Sequence, residues 1–226
     1  MALKIAVLVS GSGSNLQSII DRIRQGILEA EITLVVSNKK GAYGLERAAR
    51  HGIESLVLEH TAFSSREDFD RAVVEKIRTS GAEAVILAGF MRILTPFFIN
   101  SFPGKILNIH PALLPSFPGV NGQEQAAEYG VKISGCSVHF VDEKMDHGPL
   151  IIQAAVPALA EDDAHSLGSR ILSLEHRIFP QAVQWLARGR LLVKGRRVIL
   201  ENAPEPVLVG KGRDQALISP GLENGF

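Results

Sequence analysis

Two chemically capable side chains, Asn108 and His110, stand at alternate positions of a short apolar segment. Lys105 to His110 is predicted to be a buried strand, and alternate residues of a strand project from the same face. Pro111 cannot continue a central strand, so the strand should end where the two polar groups emerge. A carboxamide can stabilise an oxyanion and an imidazole can move a proton, so the pair suits acyl transfer. The alternative is that both side chains only hydrogen-bond the proline-rich loop that follows.

This pair belongs to a longer motif. Residues 108–119 read Asn-Ile-His-Pro-Ala-Leu-Leu-Pro-Ser-Phe-Pro-Gly, and residues 135–149 read Gly-Cys-Ser-Val-His-Phe-Val-Asp-Glu-Lys-Met-Asp-His-Gly-Pro. Together they resemble the formyltetrahydrofolate-dependent formyltransferases, and the similarity extends from Lys4 to about Leu192. The members nearest in motif act on glycinamide ribonucleotide. The resemblance therefore implies transfer of the formyl group of 10-formyltetrahydrofolate, a co-substrate, to the amine of glycinamide ribonucleotide in purine biosynthesis.

The resemblance also implies roles for individual residues. The implied catalytic residues are Asn108, His110 and Asp146, with the Asp146 carboxylate favouring the charged form of His110 and orienting its ring. The implied ribonucleotide-binding residues are Gly13, Ser14, Asn15 and Glu175. The implied folate-binding residues are Arg66, Met91, Arg92, Ile93, Leu94, Asn108, Asp142, Glu143, Lys144, Met145 and Asp146. Without the resemblance, Arg66 and Glu175 would be interpreted as surface charges, and the apolar residues near position 91 as ordinary core.

A glycine-rich loop follows the first apolar segment. Leu3 to Val9 is predicted to be a strand covered on both faces, and Ser10-Gly-Ser-Gly-Ser-Asn15 leads into a helix predicted from about Leu16 to Arg24. Such a loop directs backbone N–H groups and a helix N-terminus towards an anion. The dinucleotide motif G-x-G-x-x-G is incomplete, because Leu16 replaces its third glycine. The loop therefore indicates a site for a single phosphate, with a structural glycine turn as the alternative.

The order of the apolar segments predicts the fold class. Four predicted strands alternate with helices before residue 95, which implies right-handed crossovers and a parallel sheet. We expect an α/β protein with a single open, mostly parallel twisted sheet that is Rossmann-related and carries helices on both faces. Val131 to Val141 and Pro149 to Val156 should form an antiparallel hairpin at one edge. Ligands of such sheets gather at the carboxyl ends of strands, where Ser10 to Asn15, Gly89 to Leu94 and Asn108 to Pro111 should lie.

The C-terminal part is expected to contain one long helix, a hairpin and an irregular tail. Ser166 to Arg188 has helical periodicity, and Pro180 is predicted to kink or break that helix. A hairpin is expected around Lys194-Gly195. We predict a formyltransferase domain over residues 1–201 and an irregular tail over residues 202–226, because the tail is rich in proline and glycine.

The overall composition excludes several classes of partner. The 226 residues carry 24 Lys and Arg against 24 Asp and Glu, so no net basic charge is present to attract nucleic acid. The apolar run from Ile5 to Val9 is too short for a signal sequence or a membrane span. The single cysteine, Cys136, excludes an intramolecular disulfide and fits a reducing compartment. These features predict a cytoplasmic protein with small-molecule substrates and without nucleic-acid or membrane partners.

Three further expectations concern the site. The acidic loop that contains Asp146 and His147 has no recognised ligand spacing, so no metal is expected. His139, between apolar neighbours, is interpreted as a structural histidine. Gln123 stands where the resembling proteins usually carry a histidine, so this position should not supply acid–base chemistry.

Other functions remain as alternatives. The first is a formyltetrahydrofolate hydrolase, which usually has an additional N-terminal domain; no such domain is expected ahead of the glycine loop. The second is a methionyl-tRNA formyltransferase, which would need a basic nucleic-acid-binding domain. The third is a noncatalytic protein that binds nucleotide or folate. Retention of Asn108, His110 and Asp146 argues against the last of these.

Overall fold

The computed structural model describes residues 1–226, which form two compact units, Met1–Asn108 and Ile109–Phe226. The division falls within one strand, Ile106–His110, which carries both Asn108 and His110. No helix of either unit combines the length and the hydropathy needed to span a membrane.

The first unit is a parallel α/β arrangement. Its strands are β1 (Leu3–Val9), β2 (Ala30–Ser37), β3 (Ser55–Val57), β4 (Ala84–Leu87) and the beginning of β5 (Ile106–His110), and its helices are α1 (Ser14–Arg24), α2 (Tyr43–Arg50), α3 (Arg66–Thr79) and α4 (Pro96–Ser101). All pairings are parallel, in the order β3-β2-β1-β4-β5. Residues 5–9 of β1 are completely buried, as expected for a central parallel strand.

The second unit contains the predicted antiparallel hairpin. Its helices are α5 (Gly122–Tyr129) and α6 (Ala164–Ala187), and its strands are β6 (Ile133–Phe140), β7 (Leu150–Pro157), β8 (Leu191–Lys194), β9 (Arg197–Leu200), β10 (Val207–Val209) and β11 (Ala216–Ser219). Strands β6 and β7 pair antiparallel, and β8 and β9 form the hairpin predicted around Lys194-Gly195. The predicted α/β class, a mixed sheet of mostly parallel strands with helices and an antiparallel hairpin, is therefore confirmed.

The prediction of an irregular tail was wrong. Strand β11 pairs antiparallel with β7, and the side chains of Ala216 and Ile218 are 1% and 0% exposed. Further along, the Glu223 carboxylate accepts hydrogen bonds from Arg190 and from the Trp185 indole. The high proline and glycine content concealed a short alternating strand, whose buried residues are two positions apart. The boundary proposed at residue 201 stays a prediction.

The structure rules out a break at Pro180, whereas the kink stays a prediction. Helix α6 continues without interruption from Ala164 to Ala187. A helical proline lacks one backbone N–H and crowds the preceding turn. Burial of the neighbouring Ile178, Phe179 and Ala182, each 0% exposed, provides packing that offsets this cost.

Candidate active site

The glycine loop is fixed by helix packing in the first unit. Gly13 has a left-handed φ of 67° and precedes α1, which begins at Ser14. A Cβ atom at position 13 would lie 2.5 Å from the Gly44 Cα atom. The Arg47 Nε–H donates to the Ser12 carbonyl at 2.8 Å. Glycine is therefore required here by the turn and by the approach of α2, whether or not the loop binds a phosphate.

Two of the predicted ligand-facing loops contact each other. The Ser10 N–H donates to the Gly89 carbonyl at 3.0 Å, and the Met91 N–H donates to Ser10 Oγ at 2.8 Å. The side chains of Met91 and Ile93 are 63% and 52% exposed. The carboxyl ends of β1 and β4 therefore converge, as the sequence predicts.

The other residues of this group differ in exposure. Leu94 is only 7% exposed, so its side chain belongs to the core, whereas Arg66 is exposed at the first position of α3. Arg92 is half-buried, and its guanidinium carbon lies 5.5 Å from the centre of the Phe69 ring. Among these residues, Met91, Ile93 and Arg66 are accessible to a ligand.

Asn108 is the middle residue of the five-residue strand β5, which lies next to β4. It is paired in register with Leu87, which in turn pairs with Leu8 of β1. Asn108 is half-buried, and two residues along the same strand His110 is only 3% exposed. Strand alternation directs both side chains to one face, as predicted.

Asp146 of the second unit lies between two buried histidines. His110 Nδ1 is 3.5 Å from Asp146 Oδ2, and His139 Nε2 is 3.7 Å from Asp146 Oδ1. The Gly119 N–H donates to Asp146 Oδ2 at 2.7 Å. The His110 Nε2–H donates to the Phe117 carbonyl at 2.8 Å. The structure therefore brings together His110 and Asp146 and adds His139, which the sequence did not assign to the site.

The electrostatic state of Asp146 follows from these contacts. Burial on its own would raise the pKa of the Asp146 carboxyl, but hydrogen bonds from His139 and Gly119 and the charges of His110 and His139 lower this pKa below its ordinary value. The carboxylate is therefore ionised at neutral pH and places negative charge beside both imidazole rings. A buried strand histidine needs a hydrogen-bond partner, and this requirement was the available signal for His139.

The loop between β6 and β7 is held by contacts on both sides of Asp146. Asp142 accepts from the Lys144 N–H and from His147 Nδ1, at 3.0 and 2.7 Å. Arg196 donates to the His147 carbonyl at 2.7 Å. Asp146 itself has a left-handed φ of 49°, a conformation that Asp adopts more readily than most residues. The exposed residues of this loop are Glu143, Lys144, Met145 and His147.

Two other predicted positions have defined surroundings. Glu175 of α6 is 6% exposed, so the expectation of a surface charge from the sequence alone was wrong. A Cβ atom at Gly122, the first residue of α5, would lie 3.4 Å from His110 Nε2, so this helix start packs against the imidazole. No group of three or more His, Cys, Asp or Glu with the geometry of a metal site is present.

Gln123 packs against α6. A Cβ atom at Gly168 would lie 3.3 Å from Gln123 Cγ, and Gln123 Oε1 is buried without a hydrogen-bond partner. A neutral amide in this position contributes to packing but cannot carry a proton between substrates.

Substitution of Gln123 should therefore affect affinity more than catalysis. We expect Gln123→Ala to raise the KM of one substrate modestly, because an equal loss of ground-state and transition-state binding leaves kcat unchanged. Gln123→His should leave kcat within about threefold, a barrier change of less than about 1 kcal/mol. Steady-state kinetics with each substrate varied in turn measures both. A large gain of kcat in Gln123→His would contradict the substrate assignment, because the natural site would then be impaired.

Comparison with known proteins places the chain in a family. Residues 3–183 match a family model described as formyl transferase. The chain belongs to the formyl transferase family. The phosphoribosylglycinamide formyltransferase of Escherichia coli (strain K12) is 46% identical over 189 residues, which cover 84% of this chain and 89% of that protein. This family membership confirms the resemblance carried by the motifs around Asn108 and Asp146.

Longer relatives and solved structures of this family are also similar. The trifunctional purine biosynthetic protein adenosine-3 of Drosophila pseudoobscura pseudoobscura is 50% identical over 209 residues, and this chain covers only 15% of its length. The crystal structure of glycinamide ribonucleotide transformylase 1 from Symbiobacterium toebii is 48% identical with a TM-score of 0.87, and the match covers 88% of this chain and 94% of that chain.

Proposed function

We propose that this formyl transferase transfers the formyl group of 10-formyltetrahydrofolate to the amine of glycinamide ribonucleotide, as a step of purine biosynthesis in the cytoplasm. The observation that carries the proposal is the contact of His110 with an ionised Asp146 at the end of the strand that also holds Asn108. The 46% identity to a phosphoribosylglycinamide formyltransferase over 89% of that protein supports the choice of substrate.

The proposed chemistry needs no covalent enzyme intermediate. The ribonucleotide amine attacks the formyl carbon, and the carbonyl oxygen becomes an oxyanion that the Asn108 amide and the protonated His110 stabilise. The bond from the formyl carbon to N10 of the folate then breaks. One proton leaves the attacking amine and one is delivered to N10, and His110 assists this transfer.

His110 must exchange one partner for this to happen. Its Nε2–H is bonded to the Phe117 carbonyl, and Phe117 has a left-handed φ of 50°. A substrate oxygen that takes this hydrogen bond replaces the Phe117 carbonyl, while Asp146 continues to face Nδ1. His139, on the other oxygen of Asp146, is proposed to hold that carboxylate in place rather than to touch substrate.

The remaining assignments rest on the family resemblance. The proposed ribonucleotide-binding residues are Gly13, Ser14, Asn15 and Glu175. The proposed folate-binding residues are Arg66, Met91, Arg92, Ile93, Leu94, Asn108, Asp142, Glu143, Lys144, Met145 and Asp146. The exposure of Met91, Ile93 and Met145 supports contact of the flat faces of the pterin and benzoyl rings with these side chains.

One assay separates the proposed function from its alternatives. We expect the purified protein to consume 10-formyltetrahydrofolate only when glycinamide ribonucleotide is present, with one formylated product for each folate released. Equal consumption without the ribonucleotide would identify a hydrolase. Binding of folate or ribonucleotide with no turnover under any condition would identify a noncatalytic binding protein.

A further inference from the structure

The residues after β4 are fixed at their beginning by buried polar side chains of the first unit. Ser10 Oγ accepts from the Met91 N–H and donates to Asn38 Oδ1 at 2.6 Å. Ser10 and Asn38 are only 5% and 3% exposed. The backbone at Met91 is therefore tied to a buried hydrogen-bond chain that starts at Asn38, directly after β2.

The same residues are fixed at their end by a buried carboxylate. Asp70 of α3 is 1% exposed, and its Oδ2 accepts from both the backbone N–H and the hydroxyl of Thr95, at 2.7 and 2.8 Å. The Thr95 hydroxyl in turn accepts from the Phe98 N–H and caps α4. Asp70 thus holds Thr95, the N-cap of α4, directly after the segment Met91–Leu94.

Burial of the Asp70 carboxylate removes it from water, which is unfavourable, and neighbouring residues offset this loss of hydration. Burial raises the pKa of the Asp70 carboxyl, while the hydrogen bonds from Thr95 and the charges of Arg92 and Arg66 act in the opposite direction. The Asp70 carboxylate is therefore stabilised by Thr95, which directly follows the segment Met91–Leu94, and by two arginines assigned to folate binding. Asp70 is not used in the proposed chemistry.

Between these two anchors the segment presents apolar side chains to solvent. Met91 and Ile93 are 63% and 52% exposed, whereas Phe90 and Leu94 are buried. Exposed apolar side chains on a backbone held at both ends form a fixed surface for an apolar ring. A fixed surface binds such a ring without the loss of conformational entropy that ordering a mobile surface would require.

We propose that Asp70 is a positioning residue for folate binding, which acts through Thr95 to fix the Met91–Leu94 segment before the ligand arrives. This inference rests on the proposed function, because it takes the Met91–Leu94 segment as a wall of the folate site. A surface that binds ground state and transition state alike changes KM rather than kcat. Loss of Asp70 should therefore appear as weaker folate binding alone.

Kinetics of three variants test this inference. We expect Asp70→Ala to raise the KM for 10-formyltetrahydrofolate about tenfold, with kcat and the KM for glycinamide ribonucleotide within about twofold. Thr95→Val, which removes only the hydroxyl bond, should raise the folate KM by a smaller factor. Thr95→Ser retains the hydroxyl and should behave like the natural protein. A merely structural role would lower stability without this selective change.

A second buried aspartate provides a matched control. Asp162 accepts hydrogen bonds from Arg170 and the Leu159 N–H, and its side chain is 4% exposed. Asp162→Ala should lower the thermal midpoint of unfolding but leave the folate KM unchanged. A rise of the folate KM in Asp162→Ala as large as that in Asp70→Ala would show that general destabilisation explains both, and would overturn the inference.

Calorimetry separates this inference from the proposed function. 5-Formyltetrahydrofolate, which carries its formyl group on N5 rather than on N10, should bind the natural protein and bind Asp70→Ala about tenfold more weakly. If Asp70→Ala does not fold, Asp70→Asn and Thr95→Val carry the same comparison. Binding by the natural protein with unchanged affinity in these variants contradicts the role of Asp70 alone. Absence of binding to the natural protein contradicts the proposed function and, with it, this inference.

Discussion

His110→Ala is expected to lower kcat about 100-fold or more, because removal of a group that assists proton transfer typically has an effect of this size. The same order of loss is expected for Asn108→Ala, which removes one donor to the developing oxyanion. The KM values should change much less, since both interactions strengthen in the transition state. Steady-state kinetics of the two variants with both substrates measures the effect.

The stability of these variants needs a separate measurement. His110 is buried between Asp146 and the Phe117 carbonyl, so alanine leaves two acceptors without this donor, and some loss of stability is expected. His165→Ala, at an exposed position of α6, is the matched histidine control and should retain full activity. Full activity of a folded His110→Ala or Asn108→Ala protein would remove the proposed centre.

Asp146→Asn is expected to move the alkaline limb of the pH–activity profile to lower pH and to reduce kcat. The asparagine keeps the shape of the side chain but removes the negative charge 3.5 Å from His110 Nδ1. The reason is general: a negative charge facing an imidazole favours its protonated form, and removal of that charge disfavours this form. Measurement of kcat from pH 6 to about 10 in both proteins gives the displacement.

A stability measurement checks the same charge independently. The pKa of Asp146 is lowered in the folded protein, so the ionised carboxylate stabilises the fold. This contribution to the free energy of unfolding is fully present above the ordinary carboxyl pKa. It is lost as the pH falls through the lowered pKa. Asp146→Asn should therefore lose less stability than the natural protein between neutral and acidic pH. An unchanged pH–activity profile with unchanged kcat would refute the pairing of Asp146 with His110.

The sequence by itself determined the strands before the tail, the position of the polar pair and the family. Strand alternation and the stop at Pro111 depend on neighbouring residues only, so Asn108 and His110 could be assigned to one strand face without any tertiary information. The glycine loop before α1 and the β6–β7 hairpin are likewise local features that a turn residue and an apolar period make visible.

Only the tertiary structure decided which distant groups meet. His139 faces Asp146 because the loop after β6 folds back towards that strand. Asp70 contacts Thr95, which is 25 positions away in the sequence, because α3 and α4 pack side by side. The tail likewise became a strand because β7 offers an edge that β11 can pair with. Contacts of this kind depend on strand register and helix packing rather than on local residue pattern, so the sequence alone left His139 as a structural histidine and the tail as irregular.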